Sequence, residues 1–336
     1  MNNLEAKNSK NRNVFKKALG IFTQTKTPTP SLIILYIIMV VIFAVSNDNF
    51  LTIVNFKGIF NNFAVYGIMA AGITIVMISG GFDLSIGSVA GLAGIVSAVL
   101  LMDAGAIPTP VVVILALVMG SVLGLINGLI ITKVGINPII TTLGTLATIR
   151  GICYFWAKLN PRIYNDFIVN LGRKFLGNVI PYTTIYIVVI FVILSLILKF
   201  TRFGRDIYTI GGNENLARLA GIKVDRIKII TYVISGFFAA FAGLVLISQL
   251  GSGRPEYGDG AELEVLTIVV LGGVAVGGGK GNFLGVFIAL LIIGSISNGM
   301  VMLDVPVYLR IVVKGALLVF AISLDAIRNR RRLQLY

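Results

Sequence analysis

The polar residues able to do chemistry in this chain fall in four breaks within otherwise apolar sequence. The first is Gly80-Gly81-Phe82-Asp83-Leu84-Ser85-Ile86-Gly87-Ser88, which interrupts a run otherwise apolar from 59 to 102. Two adjacent glycines break a helix and free backbone groups. Asp83 and Ser85 can cap the helix that resumes after them. A carboxylate inside an apolar segment is also a polar point on a path for a solute, and the two roles are compatible. The second break, 201–225, is the longest basic connector. Within it Gly211 and Gly212 precede a short helical stretch for which Asn213 is the N-cap and Gly221 the stop. Glu214 and Arg218 stand four apart and share a face, while Leu216 and Leu219 form an apolar pair suited to docking on a partner. Read alone, the same loop also suits a solvated connector.

The third break, 272–282, carries Gly277-Gly278-Gly279-Lys280-Gly281 and resembles a phosphate-binding loop only in outline. That motif needs Ser or Thr after the lysine, where this chain has Gly281, and a glycine at the position held by Val274. The chain is therefore not itself an ATPase, and the segment reads as a tight turn between two membrane segments. The fourth, 251–264, holds Arg254, Glu256, Asp259, Glu262 and Glu264. It suits an outer loop that receives a binding protein, and Glu262 or Glu264 suits the N-terminus of a half-helix. With no histidine and the single Cys153, a Ser-His-Asp triad is impossible and neither a metal site nor a cofactor is expected.

The elements that hold these breaks are membrane helices. Hydrophobic residues make up 57% of the 336-residue chain and charged residues 12%, against roughly 25% charged in soluble domains. The expected fold is all-α, a polytopic bundle of about ten crossings with some short or broken helices. The expected spans are 31–46, 59–79, 86–102, 111–132, 137–157, 183–200, 227–250, 263–276, 283–303 and 307–325. This divides the chain into an N-terminal tail (1–30), a membrane domain (31–325, including the loop 200–227) and a C-terminal tail (326–336). The net charge of +14 gathers at the two ends and in the 200–227 loop, which fits cytoplasmic segments rather than nucleic-acid binding. Both termini are then cytoplasmic. The opposite side receives Asp48, Asp103, Glu256, Asp259 and Asp304, and the loop 158–181, with Lys158, Arg162, Arg173 and Lys174, runs against the rule. The tail reads as a retained cytoplasmic segment, with 14–22 either a surface helix or disordered. Gly120, Gly124 and Gly128 line one helical face, a stripe that favours close packing inside the bundle over a dimer contact.

Four stretches together resemble the permease subunits of ribose-type bacterial ATP-binding-cassette importers, within the monosaccharide and branched-chain amino acid permease superfamily. They are GGFDLSIGSV (80–89), NGLIITKVGINPIITTLGTLATIRG (127–151), TRFGRDIYTIGGNENLARLAGI (201–222) and GAELEVLTIVVLGGVAVGGGKGN (260–282). The resemblance covers nearly everything after the N-terminal tail, which is longer and more basic than the pattern and receives no role. It implies a permease subunit in the bacterial inner membrane, paired with a second permease copy as a homodimer or heterodimer. It further implies a cytoplasmic ATPase subunit and an extracytoplasmic sugar-binding protein. The segment from Gly211 to Gly221 becomes the loop that couples to the ATPase. Asp83 and Ser85, with Asn137 from the second stretch, become the substrate-path residues. A ribose-like pentose is the first expectation, with autoinducer-2 or a nucleoside as alternatives. An ion-coupled secondary transporter is the competing class.

Overall fold

The computed structural model describes residues 29–102, 107–156 and 161–333, with backbone alone for 328–333. The stretch 14–22, Asp103 and Lys158 lie outside the described residues. The elements are α1 (Thr29–Ser46), α2 (Ile53–Ile78), α3 (Ile86–Leu100), α4 (Thr109–Leu129, continued by a wider turn over Ile130–Val134), α5 (Pro138–Trp156) and α6 (Asp166–Arg173). A two-residue hairpin, β1 (Phe175–Leu176) and β2 (Ile180–Pro181), leads into α7 (Tyr182–Phe200), α8 (Arg202–Gly212) and α9 (Glu214–Leu219). The chain closes with α10 (Val224–Leu250), α11 (Ala261–Leu271), α12 (Phe283–Met302) and α13 (Val307–Leu333).

Among the described residues, α1, α2, α4, α5, α7, α10, α12 and α13 are long and apolar enough to cross a bilayer. The 15-residue α3 rises only about 22 Å and the 11-residue α11 only about 16 Å, both short of a hydrocarbon core of about 30 Å. The ten expected crossings are thus eight full helices and two half-length ones. Each half-length helix follows a non-helical segment, 79–85 before α3 and 251–260 before α11. Such backbone is tolerated at membrane depth only where protein covers it.

Helix α10 is the central post. The stripe of Gly120, Gly124 and Gly128 packs along it: a Cβ on Gly124 would stand 2.1 Å from the Tyr232 carbonyl oxygen. The stripe therefore serves packing within the chain. Contacts also fix direction. Gly120 faces Gly236 and Gly128 faces Ile229, so α4 runs antiparallel to α10. Helix α2 does the same, with Asn61 bonded to Gln249 and Gly72 set on Ser235. Helix α3 runs parallel to α10, as Gly94 lies on Gly243 and Ile247, four residues along from Ala90 on Gly243. The series α2-α3-α4-α5 and α10-α11-α12-α13 thus pass through the bundle in opposite senses, an inverted repeat of the kind found in transporters.

Helix α1 runs alongside α12, with Asn47 donating to the Met302 carbonyl. Near the other end of the bundle, Asp325 of α13 accepts from the Val276 amide. Thr29 and Leu333 therefore lie on the face that carries α8 and α9. The anomalous basic loop has a local reason on the opposite face. Arg173 donates twice to the Gln249 carbonyl at the end of α10, where free carbonyls and the helix dipole favour a cation. Lys174 sits 5.6 Å from the Tyr182 ring centroid.

Candidate functional site

The non-helical run 79–85 turns back into the bundle, and Asp83 carries it to α10. Its Oδ1 accepts from the Ser85 amide at 3.0 Å and the Ser85 hydroxyl at 2.6 Å. Its Oδ2 accepts from the Ser235 hydroxyl at 2.7 Å. Asn127 of α4 donates to Ser85 Oγ at 2.9 Å, and the Tyr232 hydroxyl donates to the Phe82 carbonyl at 3.0 Å. Five side chains and the Phe82 carbonyl, from three segments, thus form one buried polar knot, with Asp83 only 3% exposed. A buried carboxylate in lipid-depth protein is held without a countercharge when charge-assisted hydrogen bonds reach both of its oxygens. Asp83 serves the amide just ahead of α3, whereas the Ser85 side chain makes no cap of its own.

Asn137 is not part of this knot. It is exposed at the start of α5, where its Oδ1 accepts from the Ile139 amide at 2.9 Å. Asn127, Tyr232 and Ser235 were not among the residues singled out from sequence. A lone asparagine in the apolar run 111–132 is a signal that points to Asn127. Nothing in the spacing points to Ser235 or Tyr232, which enter through helix packing alone.

The first turns of α3 and α11 meet. A Cβ on Gly87 would lie 2.3 Å from the Gly258 carbonyl oxygen and 2.4 Å from Glu262 Oε2, so only glycine fits there. Glu262 and Glu264 occupy the first turn of α11, where the helix dipole favours carboxylates. Arg150 of α5 bonds the Pro255 and Tyr257 carbonyls and ties down the segment that leads to this junction.

On the α8–α9 face, the short helix forms as expected. Asn213 Oδ1 caps α9 by accepting from the Leu216 amide at 3.1 Å, and Gly221 closes the turn with φ +80°. One boundary differs. Gly211 and Gly212 are the last turn of a separate helix, α8, and the break falls at Asn213, whose backbone is extended at φ −161°. Thr201 caps that helix by accepting from the Gly204 amide. Gly211 is there for close approach: a Cβ on it would stand 1.9 Å from the Ile78 carbonyl oxygen and 2.4 Å from the Gly279 amide. That amide donates to the Ile78 carbonyl at 2.8 Å, and Gly278 touches Gly80. The three glycine clusters at 80–81, 211–212 and 277–279 thus converge on one point, joining α8 to the turns 79–85 and 272–282.

Charges hold α9 to the helices above it. Arg218 pairs with Glu214 at 2.9 Å and with Asp225 at 2.7 Å, Lys133 pairs with Asp225 at 2.9 Å, and Lys228 pairs with Glu214. Partial burial pushes the Glu214 carboxyl up, but its hydrogen bonds from Lys228 and Arg218 outweigh that and leave it below its ordinary value. Leu216 and Leu219 remain 61% and 84% exposed.

A family model described as branched-chain amino acid transport system / permease component matches residues 55–322. The ribose import permease protein RbsC of Bacillus subtilis (strain 168) is 39% identical over 302 residues, covering 86% of this chain and 89% of that protein. The RbsC of Escherichia coli (strain K12) is 34% identical over 313 residues, covering 90% and 95%. The D-allose transport system permease protein AlsC of the same strain is 35% identical over 300 residues, covering 88% and 91%. No solved structure gives a significant match.

Proposed function

This chain belongs to the branched-chain amino acid transport system / permease component family, and from that premise we propose that it is the membrane-spanning subunit of an ATP-driven importer for a monosaccharide, ribose first. It is a transport subunit and not an enzyme: a separate cytoplasmic ATPase hydrolyses ATP, and an extracytoplasmic binding protein delivers the sugar. The observation that carries this reading is the 39% identity to a ribose import permease across nearly the whole of both chains. Similarity at 35% to a D-allose permease supports a second reading, a hexose of related shape.

The chain is a multi-pass protein of the bacterial inner membrane with both termini cytoplasmic. The basic α8–α9 face supports that orientation. The segment Gly211, Gly212, Asn213, Glu214, Leu216, Arg218, Leu219 and Gly221 is the coupling element, and its two exposed leucines support docking into an apolar groove of the ATPase. Asp83 and Ser85 shape the wall of the substrate path by fixing the turn at 79–85, and Asn137 stands at its cytoplasmic mouth. A second permease copy completes the path. Growth of a strain deleted for this gene, tested on ribose, allose and galactose as sole carbon sources, examines the proposal. Loss of growth on ribose alone supports it, loss on allose alone shifts it to the hexose, and unchanged growth on all three contradicts it.

A further inference from the structure

Between α2, α11, α12 and α13 lies a cavity of about 430 Å³, lined in part by Tyr66, Glu264, Thr267, Ser297 and Lys314. An adjoining space of about 480 Å³ shares Tyr66, Ser297 and Lys314 and adds Asn62, Asn298 and Arg310. Either falls within the usual size range of small-molecule sites. Glu264 is the key side chain. It is only 9% exposed, and its Oε2 accepts from Lys314 Nζ at 2.8 Å. Its Oε1 is buried and makes no hydrogen bond of normal geometry among the described residues, although the Tyr66 hydroxyl faces the same carboxylate. Arg310 Nε is likewise buried without a hydrogen-bond partner. A buried acceptor and a buried donor left open are costly, so each stands ready for a ligand that supplies the missing bond.

We propose that this cavity is the station that holds the sugar during passage, with Glu264 Oε1 accepting from its hydroxyls. The inference rests on the import reading above and adds the site to it. Three features select a neutral polyhydroxylated ligand. Across the two spaces Asp259 and Glu264 stand against Lys314 and Arg310, so the charges balance and the lining favours neither an anion nor a cation. Hydroxyls and amides from Thr267, Ser297, Asn62 and Asn298 offer neutral donors and acceptors. Tyr66 adds an aromatic wall. In the Asp83 knot, hydrogen bonds within the protein already occupy both carboxylate oxygens and leave only Asn127 Oδ1 open. Position agrees as well: Glu264 sits in the first turn of half-length α11, beside the junction with α3. Transporter substrates bind where broken helices meet.

The test uses the whole importer, permease with its ATPase and binding protein, in proteoliposomes. Uptake of ribose, allose and galactose by the wild type comes first. If none is taken up, the import reading fails and the sugar site falls with it. The thiol introduced by Ser297→Cys is then modified with a methanethiosulfonate reagent during turnover; native Cys153 is fully buried. The transported sugar is expected to slow modification severalfold, and a sugar that is not transported is expected to leave it unchanged. Glu264→Gln is expected to lower uptake about tenfold, the worth of one charge-assisted hydrogen bond, while binding-protein-stimulated ATP hydrolysis persists. Where Glu264→Gln reduces abundance, Thr267→Val probes the same wall without breaking the ion pair. Modification insensitive to the transported sugar, in a complex that takes that sugar up normally, overturns the proposal.

Discussion

Asp83 is a carboxylate satisfied by neutral donors alone, namely the Ser85 amide and the hydroxyls of Ser85 and Ser235. Replacing it with leucine strands all three, at about 1–3 kcal/mol for each buried group left unpaired. Asp83→Leu is therefore expected to reduce both abundance and transport. Asp83→Asn keeps one acceptor oxygen and a hydroxyl can turn to accept from its amide, so a folded, weaker transporter is expected. Quantitative immunoblotting beside uptake checks this, and Asp83→Leu at full abundance and full activity would contradict it. Asp83 and Ser85 were legible in the sequence because they interrupt an apolar run. Their partners Asn127, Ser235 and Tyr232 were not, because contact between distant helices depends on packing register. Asn137 shows the same limit in reverse: the sequence placed it beside Asp83 and Ser85, yet it lies outside their knot and its Oδ1 accepts from the Ile139 amide. Glu214 gives a pH expectation. Its folded pKa lies below the ordinary value of 4.5, so its ion pairs stabilise α9 fully above that value and are lost as pH falls through the lower folded value. Hydrogen exchange at 213–222, corrected for intrinsic rates, should stay flat from about pH 8 to 5 and rise below about pH 4. Glu214→Gln should weaken that dependence and leave the part that belongs to Asp225, whose carboxyl the Lys133 and Arg218 hydrogen bonds also hold below its ordinary value.

The α8–α9 unit shows how far one element could be read. Asn213 as cap, Gly221 as stop and the Glu214–Arg218 pair were all legible, because capping and i,i+4 chemistry are local. The identity of Gly211 and Gly212 as a helix end was not. A glycine pair that breaks a chain and one that lets two backbones touch look alike in sequence. The two glycines now separate cleanly. A Cβ at Gly212 meets nothing within 4 Å, whereas one at Gly211 collides with the Ile78 carbonyl and the Gly279 amide. Gly212→Ala is expected to behave as wild type. Gly211→Ala is expected to push α8 off the bundle and to lower sugar-stimulated ATP hydrolysis while the ATPase still co-purifies. Equal behaviour of the two variants would contradict the convergence of the glycine clusters as a mechanical link. At the exposed surface, Leu216→Asp and Leu219→Asp should leave the permease folded and remove the ATPase from the purified complex. Wild-type co-purification and hydrolysis would show that α9 is not the docking helix.

At the scale of the molecule, composition and the spacing of apolar runs were enough to expect a polytopic helical bundle of about ten segments. Two of those segments are half-length because glycine breaks at 80–81 and the polar run 251–260 replace helix with covered backbone. The inverted relation of α2–α5 to α10–α13 was not legible, since direction through a bundle emerges only from which helices touch. That arrangement brings the described ends, Thr29 and Leu333, to the α8–α9 face. Reporter fusions after residues near 30 and 333 should both read cytoplasmic, and ends on opposite sides would contradict the orientation proposed. The site at Glu264 lies against α13. All of these features serve one claim, that this chain passes a monosaccharide across a membrane on energy supplied by a separate ATPase. The most direct measurement is radiolabelled ribose accumulation in proteoliposomes containing the permease, its ATPase and its binding protein. Accumulation is expected to require ATP on the α8–α9 side and the loaded binding protein on the other, and to survive collapse of ion gradients. Accumulation driven by an ion gradient without ATP would contradict it.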